Sequence, residues 1–354
     1  LGGCTLWVRA VLSPDPVPAS EVRLLLKPLL PRALRFAQSP TGEKLLARLN
    51  VGDESKAPFV IENEYFRVEA SRTDGSLTVM DKANQAVFRG LNRFVDGGDA
   101  GDEYNYCPPK QDSIYTPIVS SLKVYRHRLV PALEIGYDLQ IPTHLSPDRM
   151  KRSQETVKIP ILSRISLISG IQRVDIHTEI DNRAEDHRLR VHFPAPFRVQ
   201  SAYYDGHFEV VVRPINVPEK DDGWVEDPRP EVPQRAFTDI SDGKTGLMIA
   251  NRGLPEVEVI TQDGVSQSEI ALTLLRSVGW LSRDDMSVRQ GHAGPAFETP
   301  GGQVPVKWKY DYAVIPHTGD WAEAYQLAYA FESPLRAIET GLHAGELASQ
   351  GSFI

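Results

Sequence analysis

The fourteen residues from Asp96 to Pro109 form the densest polar cluster of the 354-residue chain. They read Asp96-Gly97-Gly98-Asp99-Ala100-Gly101-Asp102-Glu103-Tyr104-Asn105-Tyr106-Cys107-Pro108-Pro109, with four acids, three glycines and two tyrosines. Glycine permits close backbone approach, the proline pair stiffens the exit, and tyrosine offers a flat apolar ring with a polar tip. Those are the parts of a sugar-facing loop. An acidic solvated turn and a calcium loop are the competing readings. Asp96, Asp99 and Asp102 resemble calcium ligands, although the D-x-D-x-D-G order of an EF-hand is missing.

The other chemistry-bearing residues are scattered. The nine histidines, among them His177 and His192 in strand-like runs, contain neither H-E-x-x-H nor a zinc spacing. In such runs a histidine with satisfied structural contacts is the expectation. There is no G-x-S-x-G elbow, P-loop or G-x-G-x-x-G fingerprint. Residue chemistry alone gives no complete active site, and paired glycosidase carboxylates come from distant segments that spacing does not reveal.

The elements that must position these residues read as strands. Gly 26 and Pro 27 punctuate short apolar runs, the layout of an all-β protein. Strands are expected at 59–69, 76–80, 85–88, 121–128, 133–139, 156–169, 172–180, 191–193, 208–212, 247–250, 257–260, 270–276 and 307–315. Asp74-Gly75 signals a hairpin, Ser169-Gly170 a tight turn, and Lys244-Thr245-Gly246 another. Residues 21–49 read as two short helices or a loop because Pro28 and Pro31 interrupt the leucines. Residues 321–329 read as a helix with Asp320 as N-cap. Strands without alternating helices argue against doubly wound or α/β-barrel folds. They favour a large antiparallel sandwich. The stretch 214–233, rich in proline and charge, is the longest expected loop.

Composition narrows the class further. Lys+Arg 39 against Asp+Glu 47 gives a net charge of −8, which argues against a nucleic-acid partner. No apolar run approaches the roughly 20 residues that cross a bilayer, so no membrane partner is expected. Cys4 and Cys107 allow one disulfide at most. Leu1-Gly2-Gly3-Cys4 has the composition of a lipoprotein cleavage box, but no leader stands before it. The alternation of Leu6, Val8 and Ala10 favours a strand there.

Several segments together resemble glycoside hydrolase family 38, the retaining zinc-dependent α-mannosidases, in their bacterial branch. They are Ile61-Glu62-Asn63-Glu64-Tyr65-Phe66-Arg67-Val68, Asp74-Gly75-Ser76-Leu77, Gly90 through Asp99, and Gly101-Asp102-Glu103-Tyr104-Asn105-Tyr106. Further along come Ser241-Asp242-Gly243 with Gly246-Leu247, Asn251-Arg252-Gly253-Leu254-Pro255, Leu272 through Leu281, and Ile315-Pro316-His317-Thr318-Gly319-Asp320-Trp321. They spread over roughly residues 58–330 and resemble the family's C-terminal β portion.

The resemblance implies an all-β supersandwich of the galactose mutarotase kind with a few short helices. It implies a lead-in segment at 1–57, the β domain at 58–330, and a tail at 331–354 leading to a further segment. In the family, the catalytic zinc is held by two His and two Asp, one of them the nucleophile, on an N-terminal domain. No cofactor or catalytic residue is therefore expected in this chain, which looks cut at both ends. Its expected partners are that catalytic domain and a mannose-containing carbohydrate. The tyrosine that lines the pocket matches Tyr104 or Tyr106, and a basic residue after a later Tyr-Asp-Gly strand matches Arg213. Asp102 either accepts from a sugar hydroxyl or fixes the loop. A cytoplasmic location is favoured. A carbohydrate-binding module without chemistry, and an epimerase or lyase using the supersandwich groove, are the alternatives.

Overall fold

A computed structural model of the chain describes residues 58–261 and 264–335. The expected strand and helices before residue 58, Cys4, and the tail beyond 335 lie outside the described residues. Of these, residues 58–261 and 264–332 belong to one compact unit.

The first hairpins follow local turn chemistry. β1 (Val60–Glu62), β2 (Phe66–Ala70), β3 (Leu77–Asp81) and β4 (Val87–Leu91) make a four-stranded sheet in chain order. At the β2–β3 turn Gly75 has φ +71°, and the Asp74 carboxylate accepts from the Ser76 amide at 3.1 Å. Fourteen further strands follow. They begin with β5 (Arg93–Gly98), β6 (Ile118–Tyr125), β7 (Ala132–Pro142), β8 (Thr156–Leu167) and β9 (Val174–Asp181). Next come β10 (His187–Ala195), β11 (Ser201–Asp205), β12 (Val210–Pro214), β13 (Val232–Pro233) and β14 (Phe237–Ser241). β15 (Thr245–Asn251), β16 (Glu256–Thr261), β17 (Ser268–Ser277) and β18 (Lys307–Thr318) complete the set.

They build a five-stranded sheet in the order β13-β16-β17-β10-β5 and a nine-stranded sheet in the order β12-β11-β14-β15-β18-β9-β8-β7-β6. Neighbouring strands are antiparallel throughout. The described residues form the large antiparallel all-β architecture expected from the sequence.

One apolar core joins the three sheets. Phe66, Val68 and Phe88 of the small sheet share it with Phe94, Val191, Phe193 and Leu272 of the second and Ile135, Tyr137, Ile176 and Tyr312 of the third. Each such side chain contributes roughly 1.5–3 kcal/mol by leaving water. Tyr137 ties the layers together. Its ring meets Phe94 edge-on at 5.2 Å, and its hydroxyl donates to the Gly75 carbonyl at 2.9 Å. A Cβ on Gly75 would sit 2.3 Å from that ring, so the hairpin turn and the core demand the same glycine. A buried polar chain crosses the core as well: Tyr312 donates to Asn92 at 2.8 Å, while Thr178 lies 2.8 Å from Tyr312 and 2.9 Å from Ser163.

Four strands were not expected: β5, β11, β13 and β14. β5 ends in Asp-Gly-Gly and reads as turn, yet cross-strand pairing with β10 holds it extended. β14 carries Asp239 at its centre, which a local reading treats as a breaker. Asp239 is buried against the His317 ring at 2.7 Å. That ring takes the space of a side chain at Gly246, whose Cβ would lie 2.0 Å from it. Gly246 therefore belongs to β15, and the turn before it is made by Asp242 and Gly243, with φ +86° at the glycine. The Ser169-Gly170 turn forms as expected, with φ +83° at Gly170.

The expected C-terminal helix begins as a 3-10 turn, Trp321–Glu323, capped by Asp320, which accepts from the Ala322 amide at 2.9 Å. It continues as α1 (Tyr325–Glu332). Ala324, Ala328 and Phe331 bury against Phe237, Met248, Ala250, Ala313 and Ile315 on the nine-stranded sheet. No helix among the described residues is long and apolar enough to cross a membrane.

His177 on β9 is a partnered structural histidine, as expected. Its Nδ1 lies 2.8 Å from Asp311, and its Nε2 lies 3.5 Å from Glu179. The Asp311 hydrogen bond raises its pKa from the ordinary 6.5 against the opposing effect of burial. A raised imidazole stabilises the fold below its unfolded value and loses that contribution as pH climbs through the folded value. His177→Gln should therefore cost stability at pH 6, and the cost should fade as pH rises beyond the raised folded value. Urea unfolding across pH checks this, and a pH-independent difference would refute it.

Candidate functional site

The acidic loop leaves the end of β5 at the edge of the five-stranded sheet, where β5 pairs with β10. Gly97 lies opposite Arg188 in that register. Lacking a side chain, it lets the returning chain settle close above the sheet: a Cβ at 97 would be 3.2 Å from Asp112 and 3.7 Å from the Tyr106 hydroxyl. Gly101 is tighter still, its Cβ position being 2.0 Å from the Asn105 carbonyl. The loop closes on itself through Ala100 N–H to Cys107 O at 2.7 Å and Asp102 N–H to Asn105 O at 3.1 Å.

Its three aspartates are neither solvated nor gathered as metal ligands. Asp96, Asp99 and Asp102 are all fully buried, and each has its own arginine. Asp96 meets Arg152 at 2.6 Å and His187 Nδ1 at 2.6 Å. Asp99 accepts from Arg276 Nε at 2.8 Å and from the Gly101 amide at 2.9 Å. Asp102 is paired with Arg289 and accepts from the amides of Tyr104 at 3.0 Å, Asn105 at 2.9 Å and Arg283 at 2.9 Å. Burial pushes the Asp102 carboxyl up, but Arg289 and the amide donors outweigh it and hold it below the ordinary carboxylate value. With both oxygens occupied and no exposure, Asp102 fixes the loop. Among the described residues no three His, Cys, Asp or Glu side chains are grouped to hold a metal ion.

The loop presents Glu103 and Tyr104 to solvent. Tyr104 is 53% exposed and lies over Gly294, where a Cβ would come 2.7 Å from its hydroxyl. Tyr106 sits deeper. The Arg188 guanidinium stacks 3.3 Å above its ring, with Arg229 at 5.9 Å and Arg276 at 6.0 Å. Burial pushes its hydroxyl up to about 12, so it stays a hydrogen-bond donor at neutral pH. Trp224, Val225 and Phe297 are exposed as well, and Val225 precedes Glu226, which accepts from Asn105 of the loop.

The structure thus brings Asp102, Tyr104 and Tyr106 together but puts Arg213 elsewhere. Arg213 lies on β12, the edge strand of the nine-stranded sheet, with its guanidinium 5.5 Å above Tyr204. The cations that do serve the loop, Arg152, Arg188, Arg229, Arg276 and Arg289, were not singled out in the sequence. Only Arg276 lay inside a recognisable segment. The 214–233 stretch joins the site through Glu226, which accepts from Asn105 Nδ2, and through Arg229. Chemically, the arrangement offers a ring face, phenol donors and the Glu103 carboxylate to a neutral polyol. It presents no nucleophile paired with a base.

The chain matches the family model for the glycosyl hydrolases family 38 C-terminal domain over residues 61–287. It is similar to a putative mannosylglycerate hydrolase of Halalkalibacterium halodurans, 30% identical over 302 residues, which are 80% of this chain and 31% of that protein. Among solved structures it is similar to an α-mannosidase from Enterococcus faecalis V583, with 30% identity and a TM-score of 0.72 over 83% of this chain and 33% of that one. A second Enterococcus faecalis protein of glycosyl hydrolase family 38 gives 27% identity and a TM-score of 0.70, covering 83% of this chain and 34% of its own. The chain therefore spans about a third of the length of these relatives.

Removing one partner of a buried ion pair leaves the other charged and unsolvated. Arg289→Met should destabilise the domain by about 3 kcal/mol or more, and adding Asp102→Asn to it should recover part of that loss. Chemical denaturation of the single and double variants checks the pair. A single variant within about 0.5 kcal/mol of the parent, like an ordinary surface change, would show that the pair does not hold the loop.

Proposed function

The chain belongs to glycosyl hydrolase family 38, and from that premise we propose that it is the non-catalytic β portion of a zinc-dependent retaining α-mannosidase. In this reading it docks on the catalytic domain through the face around the acidic loop, and the zinc with its ligands resides on that other domain. The loop adds a wall to the sugar pocket, with Tyr104 as the residue that touches substrate.

What supports the reading most is the contrast within the loop: three buried carboxylate–arginine pairs hold a rigid base, while Tyr104 at its tip stays exposed. A tyrosine so held can stack its ring on the C–H face of a pyranose and offer its hydroxyl to a sugar oxygen. Tyr106, beneath Arg188, braces that position. Glu103 beside it accepts from sugar hydroxyls. The exposed Trp224, Val225 and Phe297 suit an interdomain contact, which needs apolar area at its centre. Arg213, on its separate sheet, has no part in this pocket wall.

The chain by itself should hydrolyse no activated aryl α-mannoside when supplied with zinc. In the full-length polypeptide Tyr104→Ala should lower kcat/KM about tenfold, the scale of one lost stacking and hydrogen-bonding contact, with the fold retained by circular dichroism. Turnover by the isolated chain, or full activity in the Tyr104→Ala enzyme, would overturn the proposal.

A further inference from the structure

A cleft of about 550 Å3 opens between the tip of the β11–β12 hairpin and the beginning of the C-terminal helix. Gly206 turns the hairpin, its amide donating to the Glu209 carbonyl at 2.9 Å, and a Cβ there would lie 2.9 Å from the same oxygen. The turn carries Phe208 wholly into solvent, at 102% exposure, where an apolar ring gains nothing for the fold. The facing wall is aromatic too. Trp321 stacks on buried Phe237 at 6.5 Å with planes 21° apart, and Tyr325 meets Trp321 edge-on at 5.9 Å. Tyr329 meets Tyr325 edge-on at 6.0 Å, and its hydroxyl donates to Asp205 at 2.6 Å.

Every ring of that wall is held by a neighbour, so a ligand finds the surface already ordered. The cleft is open on its solvent side, so a ligand there would rest on the aromatic wall and not be enclosed. Nine residues line the cleft, well below the roughly 20–30 a side that a stable protein interface uses. Its polar groups are the Glu209 carboxylate, the His207 ring and the Tyr325 hydroxyl, a set that addresses hydroxyl groups. Glu209 stands at its rim, and the Asp205 behind Tyr329 is neutralised by Arg235 at 3.2 Å, so the lining carries no excess of positive charge that would select an anion.

We propose that this cleft is a second sugar-binding site, separate from the acidic loop, which takes one or two neutral hexopyranoside units between Phe208 and the Trp321–Tyr325 wall. The choice of a sugar as ligand rests on the carbohydrate reading above. The site would keep a glycan close to the enzyme while the pocket beside the acidic loop acts on it.

The test is an NMR titration of this chain with methyl α-D-mannopyranoside and with an α-linked mannobiose. Saturable millimolar binding is expected. Phe208→Ala, at a fully exposed position, should weaken it about tenfold, and Glu209→Gln should weaken it as well. Tyr104→Ala should leave it unchanged. Binding that survives both cleft substitutions overturns the proposal, and so does the absence of binding at tens of millimolar ligand. Binding lost in Tyr104→Ala instead would move the sugar to the acidic loop, ending this proposal while upholding the pocket-wall reading.

Discussion

Burying a carboxylate costs several kcal/mol unless a cation and hydrogen-bond donors meet it. The acidic loop answers that constraint three times within seven residues. Asp96, Asp99 and Asp102 each go to an arginine from a different part of the chain: Arg152, Arg276 and Arg289. Three such pairs at fixed spacing leave the loop one shape, because sliding by a residue would strand all three charges. The glycines between them let the backbone come close enough for the pairs to form. What the loop shows to its surroundings is settled by what it hides.

The same arrangement explains how legible the site was from sequence. The density of Asp, Gly and Tyr at 96–106 marked the loop, and of its two tyrosines Tyr104 is exposed while Tyr106 sits beneath Arg188. The purpose of the acids was not legible. Their partners lie between about 50 and 190 positions away, and single arginines in ordinary strands carry no local signature. Asp102 shows the difficulty: residue type suits a sugar contact, while burial makes it a loop fastener. Arg213 shows the reverse, since position in a motif said nothing of which sheet its strand would join.

The fold was legible wherever one face of a strand meets water and the other meets the core. β3 and β9 alternate cleanly and were read within a few residues of their ends, whereas 59–69, read as one strand, is two, β1 and β2. Strands that escaped notice carry polar residues inward. β5 buries Asp96 against Arg152 and His187, and β14 buries Asp239 against His317. A local pattern treats an inward carboxylate as an interruption, because the group that neutralises it lies on another strand. The turns follow the same logic: Asp-Gly and Ser-Gly pairs are self-contained, whereas Gly246 looked like a turn residue and is instead a strand residue that yields room to an imidazole.

That exchange of volume between Gly246 and His317 has an evolutionary side. The two positions occupy a single space, so neither is free to drift alone. A lineage that gains a methyl group at 246 must first shed the imidazole at 317. Losing the imidazole would in turn expose Asp239 as an unpaired charge in the interior. Relatives of this chain should therefore keep the three residues as a block or replace them together, a signature that survives where overall identity has faded.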